Sequence, residues 1–302
     1  MNGEAATVTA PPPPTVPPAP TAPPPLTAAG SAAAGFTATD SYLRAADEVG
    51  LLSRLDGLPL VAGEYLEPAS RELQCLVEYA APELLADAPR LLDTLFSRHP
   101  DCTAAVVRVP AHLAPHALLQ PLLTYLRHVA EPPPTPGARP SDAVDIRDAA
   151  DPDRDAVGRW LSQAIRGACA GRGATVDELG TEDCVRGLLT APDRRSYLVS
   201  APGQVDPVGH ATILTDAYDD VSGTGFVELV DILVEDGGLR RSATDRLVAA
   251  CARTAAELGL PLIGHVSHPR DPDGADPAAT IVAALCRKGW TPTHLYRYAA
   301  RP

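Results

Sequence analysis

The 302-residue chain is 45% hydrophobic, 21% charged and only 4% aromatic, with a formal net charge of −13. That supplies one large or two small cores built from Leu, Val, Ile and Ala, and the acidity argues against a nucleic-acid-coating surface. The imbalance is even, 8 Arg against 14 Asp and Glu over 1–140 and 17 Arg and Lys against 24 beyond. No stretch approaches the roughly 18 apolar residues of a membrane span. Cys75, Cys102, Cys169, Cys184, Cys251 and Cys286 form no CxxC pair, which predicts buried, reduced thiols in a cytoplasmic protein. The N-terminal segment lacks the positive start and apolar centre of a secretory signal.

Residues 1–36, with "PPPPTVPPAPTAPPPL", read as a disordered Pro/Ala-rich tail of polyproline II character. A first block, 37–130, shows a strand over 71–80, a helix over 82–100 and a strand over 102–111. A short helix over 115–123 and a strand over 124–130 complete it. "EPPPTPGARPSD" then supplies a Pro-rich linker, 131–141.

The second block, 142–302, opens with the strand "AVDI". Asp151 and Pro152 start a helix in the N-cap/N1 arrangement, stopped by Gly171. A helix over 175–189 follows, then strands over 196–200, 209–215 and 226–234. The longest helix, 243–258, puts Leu247, Cys251, Ala255 and Leu258 on one face before Gly259 closes it. The strand "LPLIGHV", a helix over 278–287 and the strand "THLYRYA" end the chain. The class is α/β with a mixed sheet. The first block repeats the β-α-β-α-β order of the second block's back half, which predicts an internal duplication without the front half.

Chemistry concentrates in "VELVDILVEDGGLRRSATDRL". Glu228 and Asp231 interrupt an apolar strand, where desolvation turns a carboxyl into a useful base. Period-2 alternation places Glu228 with Val230 and Ile232, and Asp231 on the opposite face. His210 and His265 stand near strand ends, where an imidazole can relay a proton at neutral pH; a hydrogen-bonded structural role competes at each. At the helix start, Ser242 and Asp245 fit a capping box.

With "VGHATIL" before it and "ALCRKGWTPTHLYRY" after it, this segment resembles the GNAT superfamily of acyl-CoA-dependent N-acyltransferases over 141–302. The resemblance implies a GNAT-like fold whose first block is a degenerate partial repeat of structural role. It implies that acetyl-CoA or another acyl-CoA lies in a gap between two splayed strands, its arm along Ile232, Leu233 and Val234. Its diphosphate would rest on Leu239, Arg240, Arg241, Ser242, Ala243 and Thr244, at a helix N-terminus. The acceptor would be a small-molecule amine, with Glu228 as base and Asp231 or His265 as the other candidates. No metal, membrane or nucleic acid is implied, and the chain would act as a monomer or homodimer. Two departures stand out. The family's diphosphate-binding glycines are replaced, with Leu239, Ser242 and Thr244 in the motif positions. The tyrosine acid expected five residues before Trp290 is Leu285, and Tyr296 and Tyr298 lie further on. Two alternatives therefore remain open, a catalytically degenerate binding or assembly module and transfer from aminoacyl-tRNA.

Overall fold

The computed structural model describes residues 37–114, 116–129, 144–269 and 277–302; the Pro-rich tail and the linker lie outside them. Helix α1 (Asp40–Glu48) is capped by the Thr39 hydroxyl, which accepts from the Tyr42 amide. Strands β1 (Leu52–Leu55) and β2 (Leu58–Leu66) follow as a hairpin. Its loop, Asp56 and Gly57, has φ of 53° and 81°, the two positive values of a type I′ turn. Next come β3 (Leu73–Ala80), α2 (Pro82–Ala86), α3 (Ala88–Arg98), β4 (Ala104–Pro110) and β5 (Gln120–His128).

The second block supplies β6 (Asp145–Asp148), α4 (Arg154–Gly171), α5 (Glu178–Thr190), β7 (Arg194–Ser200), β8 (Pro207–Asp219) and β9 (Thr224–Val234). It ends with α6 (Arg240–Glu257), β10 (Leu262–Ser267), α7 (Pro277–Arg287) and β11 (Trp290–Ala300). Every element predicted for this block is present, β9 and β8 extending beyond their expected bounds.

Three features of the first block differ from expectation. It has a front part, α1, β1 and β2. The short helix over 115–123 is absent among the described residues, and β5 starts at Gln120 instead. Helix propensity in "ALLQPLL" yields to pairing, because β5 is bordered by β10 on one side and β11 on the other.

All strands join one sheet in the order β1-β2-β3-β4-β11-β5-β10-β9-β8-β7-β6. Two adjacent pairs are parallel, β3 with β4 and β9 with β10. The last strand of each block lies inside the other block: β11 separates β4 from β5, and β5 separates β11 from β10. Both blocks therefore belong to one compact unit.

Helix α3 buries Leu91, Leu92, Leu95 and Phe96 against Cys75, Val77, Ala105 and Val107. Helix α6 buries Ala243, Leu247, Cys251 and Ala255 against Val227, Leu229 and Leu262. Helix α4 covers the other face, where Val157, Trp160 and Leu161 meet Leu198 and Leu233.

The hairpin end of β8 reaches across to β4. Arg108, 2% exposed, donates from both terminal nitrogens to the Asp219 carboxylate at 2.8 and 2.7 Å. Asp219→Ala would remove both hydrogen bonds of a buried guanidinium and leave it only the more distant Glu78 carboxylate at 3.9 Å, so we expect a loss of about 3 kcal/mol in denaturant titration. Burial opposes ionisation of Asp219, but the Arg108 hydrogen bonds and charge outweigh it and hold its carboxyl below the ordinary value. A depressed carboxyl pKa stabilises the fold fully above the unfolded value of about 3.9 and loses that contribution as pH falls through the lower folded value. The pair's contribution should thus be intact at neutral pH and lost only in acid.

Candidate active site

Strands β9 and β10 pair at Val227 with Leu262, Glu228 with Ile263 and Leu229 with Gly264, and then separate. Beyond that point β9 continues to Val234, its other edge bonded to β8. A bulge coincides with the divergence: Thr212 faces Asp231 while Ile213 faces Leu229, leaving Val230 as the extra residue. A bulge bends its strand and re-aims the side chains after it. Residues 230–234 thus border an open fork, the splay the resemblance implies.

The bulge also corrects the expected faces. Val227, Leu229, Ile232 and Val234 all join the α6 cluster, while Leu233 packs with α4. Alternation slips by one residue at Val230, so Glu228 and Asp231 share the α4 face, against the expectation of opposite faces. Strict period-2 reasoning cannot survive an inserted residue.

Asp231 accepts from His210 Nε2 at 2.9 Å, and the His210 ring, 0% exposed, stacks on Trp160 at 5.1 Å. That network holds Asp231 in place and makes His210 structural. Glu228 is partly buried at the base of the fork. Burial, then the nearby Asp193 carboxylate, raises its carboxyl above the ordinary range, the environment that makes a base of useful strength. His265 is the first β10 residue past the last β9 pair. Burial lowers its imidazole pKa, with Asp231 opposing, and its buried Nδ1 has no hydrogen-bond partner.

The turn after β9 differs from both readings of its sequence. Helix α6 begins at Arg240 with Leu239 as N-cap, and no side chain caps it. Ser242 lies inside the first turn and donates its hydroxyl to the Leu239 carbonyl at 3.0 Å, while Asp245 pairs with Lys288. The expected capping box is therefore absent, because the helix starts earlier than the hydroxyl-rich segment suggests. Asp236 supplies the local order instead, accepting from the amides of Gly238 at 2.7 Å and Leu239 at 3.3 Å. Arg240 Nε reaches back to the Val234 carbonyl at 3.3 Å.

Of the other expected cradle residues, Ile232, Leu239 and Ala243 pack with the α6 cluster, Thr244 is half-buried and Arg241 is exposed. At the turn itself a Cβ built on Gly237 would meet nothing within 4 Å, whereas one on Gly238 would meet the Asp236 carboxylate at 3.3 Å. An acyl-CoA diphosphate would use the amides of this turn, and Asp236 already holds two of them. Those of Arg240, Arg241 and Ser242 belong to the first helical turn, which no intrahelical carbonyl serves. The fork suits an extended thioester arm; the turn suits a diphosphate only at its helical end. The acid position is occupied by Leu285, packed against the α6 cluster, and Cys286 is exposed.

A second group on the α4 face carries no mark in the sequence. Glu78 on β3 accepts from the Tyr296 hydroxyl at 3.1 Å and lies 3.9 Å from Arg108. Tyr125 on β5 stacks on His294 at 4.6 Å and contacts the rings of His265 at 5.5 Å and Tyr296 at 5.7 Å. These residues come from both blocks, and only the interleaved strand order brings them together. Among the described residues no cluster of His, Cys, Asp or Glu could hold a metal, and no helix is long and apolar enough to cross a membrane.

No protein-family profile and no curated protein matches the sequence. Among solved structures, a functionally unknown conserved protein from Staphylococcus epidermidis is 11% identical, covering 83% of this chain and 93% of its own, with a TM-score of 0.45. A GNAT-family acetyltransferase from Colwellia psychrerythraea is 13% identical over 83% and 84%, TM-score 0.43. An aminoglycoside N-acetyltransferase in complex with CoA is 18% identical over 49% and 88%, TM-score 0.32. At these identities and TM-scores the likeness carries no further argument.

Proposed function

We propose that the chain transfers an acyl group, acetyl in the simplest case, from acyl-CoA to the amine of a small molecule. The observation that supports this best is a partly buried Glu228, its carboxyl raised by burial, at the base of the β9/β10 fork. The Glu228 carboxylate takes one proton from the acceptor ammonium to free its lone pair, and the nitrogen's second proton passes to solvent as the amide forms. The nitrogen lone pair forms a C–N bond to the thioester carbonyl carbon, the C–S bond breaks, and the electron pair leaves on sulfur. With Leu285 in the acid position, the thiolate is protonated by solvent. The products are the amide and the free thiol. Asp231 and His265 border the same face, and His265, held neutral by burial, orients the acceptor instead of carrying its proton. Residues 142–302 carry the reaction.

Residues 37–130 are in this reading a degenerate copy. Two parallels support that: β3 and β4 pair from Gln74 with Ala104 to Val77 with Val107, as β9 and β10 do in their block. A bulge leaves Glu78 extra on β3, as Val230 is on β9. Thiol release from acetyl-CoA, measured with and without an added amine, tests the activity; release that amines do not accelerate would remove it.

The Asp236 contacts favour a second reading, a module of the same fold that no longer takes up CoA. The two separate on one variant. If the turn serves a diphosphate, Asp236→Ala removes a competing carboxylate and tightens CoA binding by about three- to tenfold in calorimetry. Unchanged absence of binding in both proteins would favour the module.

A further inference from the structure

Resting on the transferase reading, we propose that the acceptor is a linear polyamine, held in a slot that both blocks build from Glu228, His265, Tyr125, Tyr296 and Glu78. The slot lies on the α4 face of the sheet. Tyr125 sits at its centre, on the first-block strand inserted between the two last strands of the second block. Its ring contacts those of His265, His294 and Tyr296. One carboxylate stands at each end: Glu228 on β9 and Glu78 on β3. Each side chain named in the slot keeps partial exposure, although strands flank it on both sides.

The electrostatics select a cation. Arg108 is matched by Asp219 through two hydrogen bonds, so the trio of Arg108, Asp219 and Glu78 carries one net negative charge. Burial raises Glu78 despite Arg108 and the Tyr296 hydroxyl, and raises Glu228 likewise. Both are desolvated acids whose charge lacks full compensation, and a bound ammonium supplies it. The histidines do not compete for that role: burial, then Arg108, holds His294 down to about 3, and burial lowers His265. Burial, then the charges of Glu228 and Glu78, pushes up the Tyr125 phenol, so both carboxylates act on one ring. Neutral aromatic faces between two acids suit a cationic alkyl chain.

The spacing sets the length. Glu228 and Glu78 are five strand positions apart in the sheet order, at about 4.8 Å per strand, and the pairing registers set them about four residues apart along the strands, Glu228 level with Arg127 and Glu78 with Leu123. Glu78 leans inward to the Tyr296 hydroxyl on β11, which shortens the gap to be bridged. A four-carbon diamine is too short to engage both; an extended polyamine reaches Glu78 with a distal ammonium while its terminal nitrogen lies at Glu228.

The test compares spermine with butylamine on the full chain, by thiol release from acetyl-CoA and by calorimetry without acetyl-CoA. The expected results are a kcat/KM for spermine at least about tenfold above that for butylamine, and spermine binding weakened about tenfold by Glu78→Gln. Tyr125→Leu should weaken it similarly, and melting curves of both variants establish that they fold. Transfer to butylamine without a spermine preference would overturn the slot while leaving the transferase standing. Spermine binding that depends on Glu78, with no transfer to any amine, would support the slot and remove the transferase. Binding indifferent to both substitutions in folded protein would overturn the slot.

Discussion

Glu228→Gln is expected to lower kcat for acyl transfer by about 10²–10⁴-fold, the usual range for removing a general base, while leaving the melting temperature nearly unchanged. Glutamine keeps the shape and a hydrogen-bonding head at a partly buried position but cannot accept the ammonium proton. The pH profile supplies an independent reading. Burial, then Asp193, raises the Glu228 carboxyl, and the base works only when ionised. Wild-type kcat/KM should therefore rise with pH along a limb displaced above the ordinary glutamate value of about 4.3. Asp193→Asn, which removes the second cause of the shift, should move that limb to lower pH. A variant with full kcat would assign the proton to another group, and Asp231, fixed by His210 on the same face, is the next to replace.

A chain lacking residues 1–130 is expected to be insoluble or unfolded. Strand β5 pairs with β10 from Leu262 to Ser267 and with β11 from Trp290 to Tyr298, and β4 pairs with the other edge of β11. Without them β10 loses one neighbour, β11 loses both, and long apolar edges are left open to other chains. The N-terminus of α5 also leans on the missing block. The Asp177 amide bonds the Ala69 carbonyl at 2.7 Å, and a Cβ on Gly180 would stand 1.8 Å from the Pro68 oxygen. Circular dichroism and sedimentation of the 131–302 fragment check this; a soluble, cooperatively melting fragment would refute it.

The second block is legible because its signals are local. Pro152 lies in the 3-10 turn over Asp151–Asp153 that leads into α4, which starts at Arg154 and not at Pro152 as expected; Gly259 closes α6, and the apolar spacing of Leu247, Cys251 and Ala255 fixes its buried face. In the first block the Asp56 and Gly57 hairpin is marked just as locally, by its dipeptide and its flanking leucines. Other features are not readable. The register that inserts β5 between β10 and β11 depends on pairing between residues well over a hundred positions apart, and nothing in "ALLQPLL" announces it. The bulge at Val230 carries no glycine or other local mark, so the shared face of Glu228 and Asp231 stays hidden. The turn after β9 misleads because three small or hydroxylated residues suggest a cap at Ser242. Asp236 captures the preceding amides first and starts the helix earlier. Tyr125, Glu78 and Tyr296 lie on three separate strands, and no spacing in the chain joins them.

Calorimetric titration of the purified full chain with acetyl-CoA, and separately with CoA, tests the central claim most directly. The fork between β9 and β10, with the helical end of its turn, predicts saturable one-to-one binding with a Kd below about 1 mM. No heat of binding at millimolar ligand would contradict it, and the Asp236 carboxylate would then be the mark of a fold that has given up its acyl donor.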